Sequence, residues 1–199
     1  MADILLDGLP VLDLLEITPS TSVVARITQR DQSSISRIYR QVSRRLGLEF
    51  RKHTDGRYRA GRNQLLLEGL RLSSQWLRLQ SNPAEPRWMA CGHAALVGAA
   101  QQPNHPPALI QHCEKVERIA TLLLERVLDL AVLTRPEAAQ SSSHPDLVEL
   151  PLLHHAGGVD GLVLRRDLQE QPALQELIAA ISSSYRQHLR QHPDQEWLG

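Results

Sequence analysis

The sequence predicts a mixed α/β protein in three parts, and three observations lead to this division. Short helical patterns and a basic segment fill residues 1–62. One long helical pattern follows within residues 63–86, and two prolines in Ser81–Pro86 end it because proline cannot continue a helix. Residues 87–199 alternate short apolar runs with helical patterns, which is typical of an α/β domain.

The composition is that of a globular protein. Of the 199 residues, 42% are hydrophobic, 22% are charged and only 4% are aromatic, so the cores must be largely aliphatic. No apolar stretch is long enough to span a bilayer, and the acidic start Met1–Asp3 is unlike a secretory signal. Two cysteines do not suggest a disulfide framework. We therefore expect a cytoplasmic protein with no membrane partner.

Positive charge is concentrated near the N-terminus, although the formal net charge is zero. Residues 26–62 carry 11 basic and three acidic side chains, whereas residues 81–199 carry nine basic and 14 acidic ones. Such a concentration is expected of a module that contacts phosphates. By itself, a charge run is more often a solvated surface, so the spacing of the residues has to decide.

The clearest pattern is a helix from Gln32 to Leu46. Asp31 before it is a favourable N-cap, and Gly47 after it is a favourable terminator. At about 100° per residue, one side collects apolar residues and predicts a core-facing stripe of Ile35, Ile38, Tyr39, Val42 and Leu46. The opposite side collects only Gln, Ser and Arg, namely Gln32, Ser33, Ser36, Arg37, Arg40, Ser43 and Arg44.

That outer face suits the major groove of double-stranded DNA. Glutamine can bond adenine and arginine can bond guanine through paired hydrogen bonds, while serine adapts to bases or phosphates. A merely solvated face usually mixes Glu with Lys at i,i+4 spacing, and this one contains neither. Because a short helical pattern over Ser20–Thr28 precedes it, the sequence predicts a helix-turn-helix.

A basic hairpin is predicted directly after this helix. Asp55-Gly56 separates two short β-prone runs, which is a signal for a tight turn. The hairpin carries four cations in nine residues, Arg51, Lys52, Arg57 and Arg59. Cations on such a hairpin suit backbone phosphates rather than bases, and an ordinary exposed hairpin would not need four of them.

These segments resemble the DNA-binding domain of the LysR-type transcriptional regulators. The family pattern Ser-Gln-x-x-(Val/Ile)-Ser-Arg stands here as residues 31–37, with Asp31 in place of serine. The family's Ala-Ala, Leu-Gly and Thr-x-Ala-Gly stand as Val24-Ala25, Leu46-Gly47 and residues 58–61. The resemblance covers about 60 residues and implies a winged helix-turn-helix. It also implies DNA contacts by Gln32, Ser33, Ser36, Arg37 and Arg40.

The chain also departs from the family pattern elsewhere in its first 30 residues. Thr28 and Arg30 stand where the family usually has an apolar pair, and Pro10 falls within the first helix. The first two changes predict weaker packing between the two helices of the motif.

Residues 63–79 predict a linker helix with two apolar stripes. One stripe consists of Leu66, Leu70 and Leu77, and the other of Leu65, Leu72, Trp76 and Leu79. The resemblance implies that this helix pairs with its counterpart in a homodimer, and two stripes favour that arrangement. The alternative is that the second stripe packs on the chain's own C-terminal domain.

Beyond the hinge, the resemblance implies a shortened effector domain. Apolar runs indicate strands at Trp88–Cys91, Leu128–Leu133, Leu147–Leu153 and Leu162–Leu164, and helical patterns indicate helices at Ala108–Glu117, Thr121–Val127 and Pro172–Leu189. Residues 134–160 are too few for a second lobe, because a βαβ unit alone takes about 30 residues. We expect one small α/β lobe resembling half of a type 2 periplasmic-binding-protein fold. A two-lobed cleft for a small-molecule effector is not expected.

Other chemistries find less support. Cys91-x-His93 and His112-Cys113 lack the usual spacing of zinc ligands, so we expect no metal or other cofactor and keep a metal sensor as an alternative. No P-loop, GxGxxG or GxSxG pattern occurs, so we expect no catalytic residues and no enzyme. A shallow ligand half-site near Gly92 and His93 also stays open.

The main rival is a different class of function. A helix-turn-helix domain that has lost DNA binding can serve as a protein-interaction module for another regulator. Thr28 and Arg30 favour this alternative, and the Gln/Ser/Arg face favours DNA binding.

Overall fold

A computed structural model of the chain describes residues 3–91, 94, 116–135, 144–191 and 195–198. It is a mixed helix and sheet structure, as the sequence predicts, and it divides into two compact units, Met1–Leu77 and Arg78–Gly199. The domain boundaries expected after residues 62 and 86 remain predictions.

The first unit is helical, with one small hairpin. Its elements are a π-helical turn (Ile4–Gly8), α1 (Leu9–Ile17), α2 (Thr21–Ile27), α3 (Gln32–Leu46), β1 (Arg51–Lys52), β2 (Tyr58–Arg59) and α4 (Gln64–Gln80), which continues into the second unit. The two strands pair antiparallel with Arg51 opposite Arg59. The buried hydrophobic residues described in this unit are aliphatic except for Phe50, and the most buried of them include Leu9, Leu12, Leu15, Val24, Ile35 and Leu48.

The start of α1 explains how Pro10 is accommodated. Proline cannot donate a backbone hydrogen bond, and Pro10 lies in the first two positions of α1, where a donor is not needed. The π-helical turn before it ends at Gly8, which packs closely against α3. A Cβ atom at position 8 would lie 2.6 Å from Cγ2 of Val42, so glycine permits the close approach of these two segments.

The second unit is an α/β structure built on one five-stranded sheet. Its elements are β3 (Trp88–Ala90), α5 (Val116–Leu124), β4 (Leu130–Arg135), β5 (Leu147–His155), β6 (Gly158–Arg165), a 3-10 turn (Arg166–Leu168), α6 (Pro172–Gln191) and β7 (Glu196–Trp197). The strand order is β3-β4-β6-β5-β7, in which β3 and β4 are parallel and all other pairs are antiparallel. Leu174, Leu177 and Ile181 on α6 are fully buried and belong to the core cluster that includes the β4 and β6 side chains.

All four predicted strands are present, with different ends. The strand predicted at Leu162–Leu164 begins four residues earlier, at Gly158. The helix predicted at Thr121–Val127 is wrong in its bounds, because α5 ends at Leu124. Arg126 has a positive φ of 60°, and the N–H groups of Val127 and Leu128 both bond the carbonyl of Leu122, which closes the helix. The helix predicted at Ala108–Glu117 lies almost entirely outside the described residues.

Candidate nucleic-acid interface

The N-terminus of α3 is capped as the sequence predicts. A carboxylate oxygen of Asp31 accepts a hydrogen bond from the backbone N–H of Ser34 at 2.7 Å. The hydroxyls of Ser33 and Ser34 donate to the same carboxylate at 2.5 and 2.6 Å. These hydrogen bonds hold the pKa of Asp31 well below its usual range. Asp31 therefore remains charged near neutral pH and fixes the first turn of α3.

The C-terminus of α3 ends at Gly47, also as predicted. Gly47 has a φ of 61°, which is the left-handed conformation that glycine adopts at little cost. The N–H groups of Gly47 and Leu48 bond the carbonyls of Arg44 and Ser43, which are otherwise left open at the end of a helix. Both ends of the helix are thus fixed by local hydrogen bonds.

The exposed side of α3 brings the predicted DNA-contacting residues of this helix onto one surface. An open concave surface, which we call the α3 face, is lined by Gln32, Ser33, Ser36, Arg37, Arg40, Gln41 and Arg44. Ile35, Ile38 and Val42 on the opposite side are buried, as predicted. The α3 face contains three arginines and no acidic side chain.

Ser43 was predicted on the outer side of α3, and this prediction is wrong. It is only 8% exposed, and its hydroxyl accepts a hydrogen bond of 2.7 Å from the backbone N–H of Phe50. A small polar residue can turn inward where it satisfies a buried backbone donor, which the helical period cannot reveal. Tyr39 and Leu46, predicted in the core stripe, are half-buried.

Two residues of the α3 face already have partners inside the protein. The side-chain amide of Gln32 donates to the hydroxyl of Thr21 at the start of α2, at 2.9 Å. Ser33 bonds Asp31, as described above. Arg37 makes only a long contact of 3.5 Å with the hydroxyl of Ser34 among the described residues. Arg37 is therefore more readily available to a ligand than Gln32 and Ser33.

The polar residues between α2 and α3 have partners of their own. The hydroxyl of Thr28 donates to the carbonyl of Val24 at 2.9 Å, and the Arg30 guanidinium forms an ion pair of 2.5 Å with Asp7. The pKa of Asp7 is lowered mainly by this hydrogen bond from Arg30. Thr28 thus bonds within its own helix and Arg30 pairs with the N-terminal turn, at the two positions where the family usually has an apolar pair.

The hairpin after α3 carries the other predicted DNA-contacting residues. Arg51 and Lys52 are exposed on β1, and the Lys52 ammonium lies 3.4 Å from the carbonyl of Pro19. Arg57 is half-buried, and its backbone N–H donates a hydrogen bond to the Asp55 carboxylate. Arg59 forms an ion pair with Asp55 across the turn. Both residues of β1, Arg51 and Lys52, are thus exposed cations.

An aromatic cluster, not predicted from the sequence, connects α3 with the hairpin. The ring centroids of Tyr39 and Tyr58 are 5.5 Å apart, and those of Phe50 and Tyr58 are 5.8 Å apart. Partial burial is the main reason why the pKa of Tyr58 is raised, and interactions with Tyr39 contribute. The available signal was that Tyr39 lies in the apolar stripe of α3, while Phe50 and Tyr58 lie in the two β-prone runs that follow it. We call these three residues the aromatic cluster.

Helix α4 packs with a face that the sequence did not indicate. Leu67, Arg71, Ser74 and Gln75 are buried, while Leu66 and Leu77 of the predicted dimerisation stripe are 45% and 49% exposed and Leu70 is half-buried. Leu65 of the second stripe is 83% exposed. Both predicted stripes therefore keep apolar surface open to solvent within the described chain.

A buried charged cluster holds α4 against α1. The Arg71 guanidinium lies 2.9 Å from a carboxylate oxygen of Asp13 and 2.7 Å from one of Glu16, and all three side chains are less than 5% exposed. Burying charges is costly unless they are paired, so this cluster fixes α4 on α1. Neither acid was predicted as buried, because both interrupt an otherwise apolar helix.

The second unit contains a buried polar cluster at one end of its sheet. Asp160 is fully buried and accepts hydrogen bonds from the hydroxyls of Thr134 at 2.6 Å and Tyr185 at 2.9 Å. Nε2 of His155 is 3.1 Å from the Thr134-bonded oxygen of Asp160, and Nδ1 of His155 accepts from the N–H of Gly157. Burial, followed by the charge of Asp160, raises the pKa of Tyr185. The cluster satisfies its own polar groups.

The alternative metal and ligand sites lie mostly outside the described residues. Cys91 is buried, and His93, His112, Cys113 and Gly92 lie outside the described residues. No group of three or more potential metal ligands occurs in the part of the chain that is described. None of the helices described is both long and apolar enough to cross a membrane.

Comparisons with known proteins place the chain by its fold. No family model and no curated protein matches the sequence. The structure is similar to a full-length OxyR variant from Pseudomonas aeruginosa, with a TM-score of 0.50 and 11% sequence identity over 94% of this chain and 95% of that one. A mutant OxyR from Corynebacterium glutamicum gives a TM-score of 0.45 at 10% identity, over 92% and 93% of the two chains.

A LysR family transcriptional regulator, VV2_1132, is also among the similar structures, with a TM-score of 0.33 and 15% identity over 73% of this chain and 56% of that one. At 11% identity, the similarity to the Pseudomonas aeruginosa OxyR variant shows a shared fold, and the activity has to be argued from the residues. The resemblance expected from the sequence is confirmed at that level: the chain has the fold of the LysR-type transcriptional regulators.

Proposed function

We propose that the chain is a sequence-specific DNA-binding transcriptional regulator of LysR type. In this proposal α2 and α3 form a helix-turn-helix, and the β1–β2 hairpin is its wing. The observation that carries the proposal is the α3 face, where Gln, Ser and Arg side chains form one open surface without an acidic residue. An α-helix fits the major groove, and these side chains are the ones that read base edges there.

Arg37 is the residue we assign first to base reading. It lies about one turn into α3, is exposed, and makes only one long contact among the described residues. Recognition helices contact base edges mainly through their N-terminal residues. Gln32 and Ser33 lie at that end too, but their bonds to Thr21 and Asp31 must be exchanged or shared on binding. Ser36 and Arg40 complete the proposed set.

Arg51, Lys52 and Arg57 are assigned to phosphates. Arg51 and Lys52 are exposed at the end of a short antiparallel hairpin, where the backbone of a duplex can approach them. Contacts to phosphates set affinity and its dependence on salt, but carry no base preference. The two groups of residues should therefore be separable by experiment.

The test is selection from a library of random duplexes, followed by titration of the selected sequence in several salt concentrations. Arg37→Ala should relax the preference at one base position and cost about 1–3 kcal/mol of binding free energy on the selected duplex. Arg51→Ala with Lys52→Ala should weaken all duplexes alike and flatten the salt dependence. Arg190→Ala, an exposed arginine on α6, is the matched control and should change neither.

Failure of the 199-residue chain to enrich any sequence would instead favour the protein-interaction module. The sequence feature that favours a protein-interaction module is the polar pair Thr28 and Arg30. Both residues have partners within the chain, at Val24 and Asp7, so their polarity does not by itself require another protein. Equal losses on all duplexes from Arg37→Ala would also count against the assigned docking.

We also propose that the second unit is a single lobe that lacks a two-lobed inducer cleft. The described strands β3 to β7 belong to one sheet, and β5 returns to pair with β6 of that sheet. Only the eight residues 136–143 separate the described end of β4 from His144, and a βαβ unit needs about 30 residues. Regulation would then come from a partner or from the amount of protein rather than from an effector closed between two lobes.

A homodimer through α4 completes the proposal. Leu66 and Leu77 are about half exposed, Leu70 lies between them along the helix, and Arg71 holds a different face of α4 on α1. Two copies are also needed to read two half-sites about one helical turn apart on a duplex. The proposed function assigns no catalytic residue, metal or cofactor to the chain.

A further inference from the structure

Arg40 differs from the other arginines of the α3 face in how its side chain is held. Its Nε–H donates to the hydroxyl oxygen of Tyr39 at 3.3 Å, and its guanidinium carbon lies 5.7 Å from the centre of the Tyr39 ring. Among the residues that the structure describes, Arg37 has only a long serine contact of 3.5 Å. The neighbouring phenol thus gives Arg40 both a hydrogen-bond acceptor and an aromatic surface.

The position of Tyr39 is fixed in turn by the hairpin. Its ring is 5.5 Å from that of Tyr58, nearly edge-on at 71°, and 6.4 Å from that of Phe50. Phe50 is 4% exposed, and its backbone is held by Ser43 of α3. Tyr39 is therefore packed between the inner side of the hairpin and the surface where Arg40 is exposed.

The geometry of the guanidinium decides what is left for a ligand. Arginine has five N–H donors in one plane, and the Tyr39 bond uses the Nε side of that plane. Among the described residues, the hydrogen bond that Arg40 makes is the one from Nε to Tyr39, which leaves the N–H groups of the two Nη atoms for a ligand. Such a pair of donors matches the O6 and N7 acceptors of guanine in the major groove.

We infer that Tyr39 is a positioning residue, which presents the terminal Nη pair of Arg40 to a guanine of the bound duplex. This inference rests on the proposed function, since it assigns a specificity-determining role within the DNA interface. Holding a long side chain before binding lowers the ordering cost that the complex would otherwise carry. The aromatic cluster thereby lets the hairpin influence base preference without touching a base.

The test compares guanine preference in Tyr39→Phe, Arg40→Ala and the double variant, using duplexes from the selection that differ at single guanine positions. Phenylalanine keeps the ring and removes the oxygen that accepts from Nε. We expect Tyr39→Phe to reduce the preference for one guanine by about two- to tenfold, the range set by the cost of ordering one side chain. In the Arg40→Ala background, the same change should have no further effect.

Arg44→Ala is the matched control, because Arg44 lies on the α3 face without the Tyr39 contact. Its effect should add to that of Tyr39→Phe. Thermal unfolding of each variant measures stability separately, and a merely structural role of Tyr39 would lower the unfolding temperature and weaken all duplexes alike.

The outcomes separate this inference from the proposed function. A selected sequence that contains no guanine sensitive to Arg40→Ala, or a Tyr39→Phe effect that persists in the Arg40→Ala background, overturns the role of Tyr39 while leaving DNA binding intact. Absence of any selected sequence for the unchanged protein overturns both.

Discussion

Replacing Arg71 by methionine removes the cation of the buried cluster that joins α4 to α1. Methionine is similar in length and can fill the space of the aliphatic stem. The change takes the guanidinium away from Asp13 and Glu16, whose side chains are 0% and 3% exposed. Water cannot reach these carboxylates to replace the lost charge, so the folded state alone is penalised.

The expected loss in the free energy of unfolding of the first unit is about 3–5 kcal/mol. This is the range for removing one partner of a buried ion pair. Stabilities of native domains are about 5–15 kcal/mol, so the loss is a large fraction of the total. Arg71→Lys should lose less, because lysine keeps the charge but presents a single ammonium in place of a planar fork that reaches both acids.

Native-state hydrogen exchange of the full chain is the appropriate assay, since it resolves the two units. The backbone amides of α1 and α3 should exchange faster in Arg71→Met by the factor that the free-energy loss implies, with those of β4 and β6 unchanged. Arg62→Met is the control: its ion pair with Glu49 has side chains that are 72% and 47% exposed and should change the stability by less than about 1 kcal/mol. A loss in Arg71→Met as small as that of the control would refute the reasoning.

Three further predictions concern titration and assembly. Asp31 has a folded pKa below its unfolded value, so its contribution to stability is present above about pH 4 and is lost as the pH falls. Between about pH 5 and 2, the free energy of unfolding should therefore fall more steeply for the natural chain than for Asp31→Asn, which keeps a cap that does not titrate. Parallel curves of the free energy of unfolding against pH would contradict this. Tyr185 has a folded pKa above its unfolded value of about 10, so its bond to Asp160 stabilises the chain below pH 10 and is lost as the pH rises beyond it. Urea unfolding at about pH 8 and 11 should show a smaller difference for Tyr185→Phe than for the natural chain, and an equal difference would rule out this contribution. Sedimentation equilibrium should show a dimer that Leu66→Glu converts to monomers, whereas Leu6→Glu, at a 70% exposed position on the N-terminal turn, should leave it intact; a monomer in the natural chain would remove the dimer from the proposal.

The parts of the fold that local chemistry dictates could be predicted from the sequence. The ends of α3 follow from Asp31 and Gly47, whose capping bonds involve residues at most four positions away. The hairpin follows from Asp55-Gly56, where Gly56 has a φ of 81°. Such signals survive in a single sequence because both partners of each bond are neighbours along the chain.

Features that depend on distant partners were missed. Arg71 and Asp13 are 58 residues apart, and each is charged, so a hydrophobic pattern places both at the surface. Asp160 hid the start of β6 for a similar reason. Its fully buried carboxylate interrupts the apolar run that marked the strand. The aromatic cluster joins three short segments, and of its three residues only Tyr39 was predicted to face the core. In all three cases the partner that makes burial favourable is absent from the local sequence.

The order of the strands also limits how short the link between β4 and β5 can become. Both strands pair antiparallel with β6 and are thus parallel to each other, on opposite sides of it. Arg135 is opposite Val159 and Leu147 is opposite Arg165, so the chain must pass along six residues of β6 and across two strand spacings. That separation is about 22 Å, from rises of about 3.3 Å per residue and spacings of about 4.8 Å. A fully extended chain reaches at most about 3.3–3.6 Å per residue, so a link reduced to fewer than about seven steps could no longer join the two strands. Lengthening is not limited in this way, since each doubling of a flexible loop costs only about 0.6 kcal/mol. The link is therefore a place where the chain can gain residues far more easily than it can lose them.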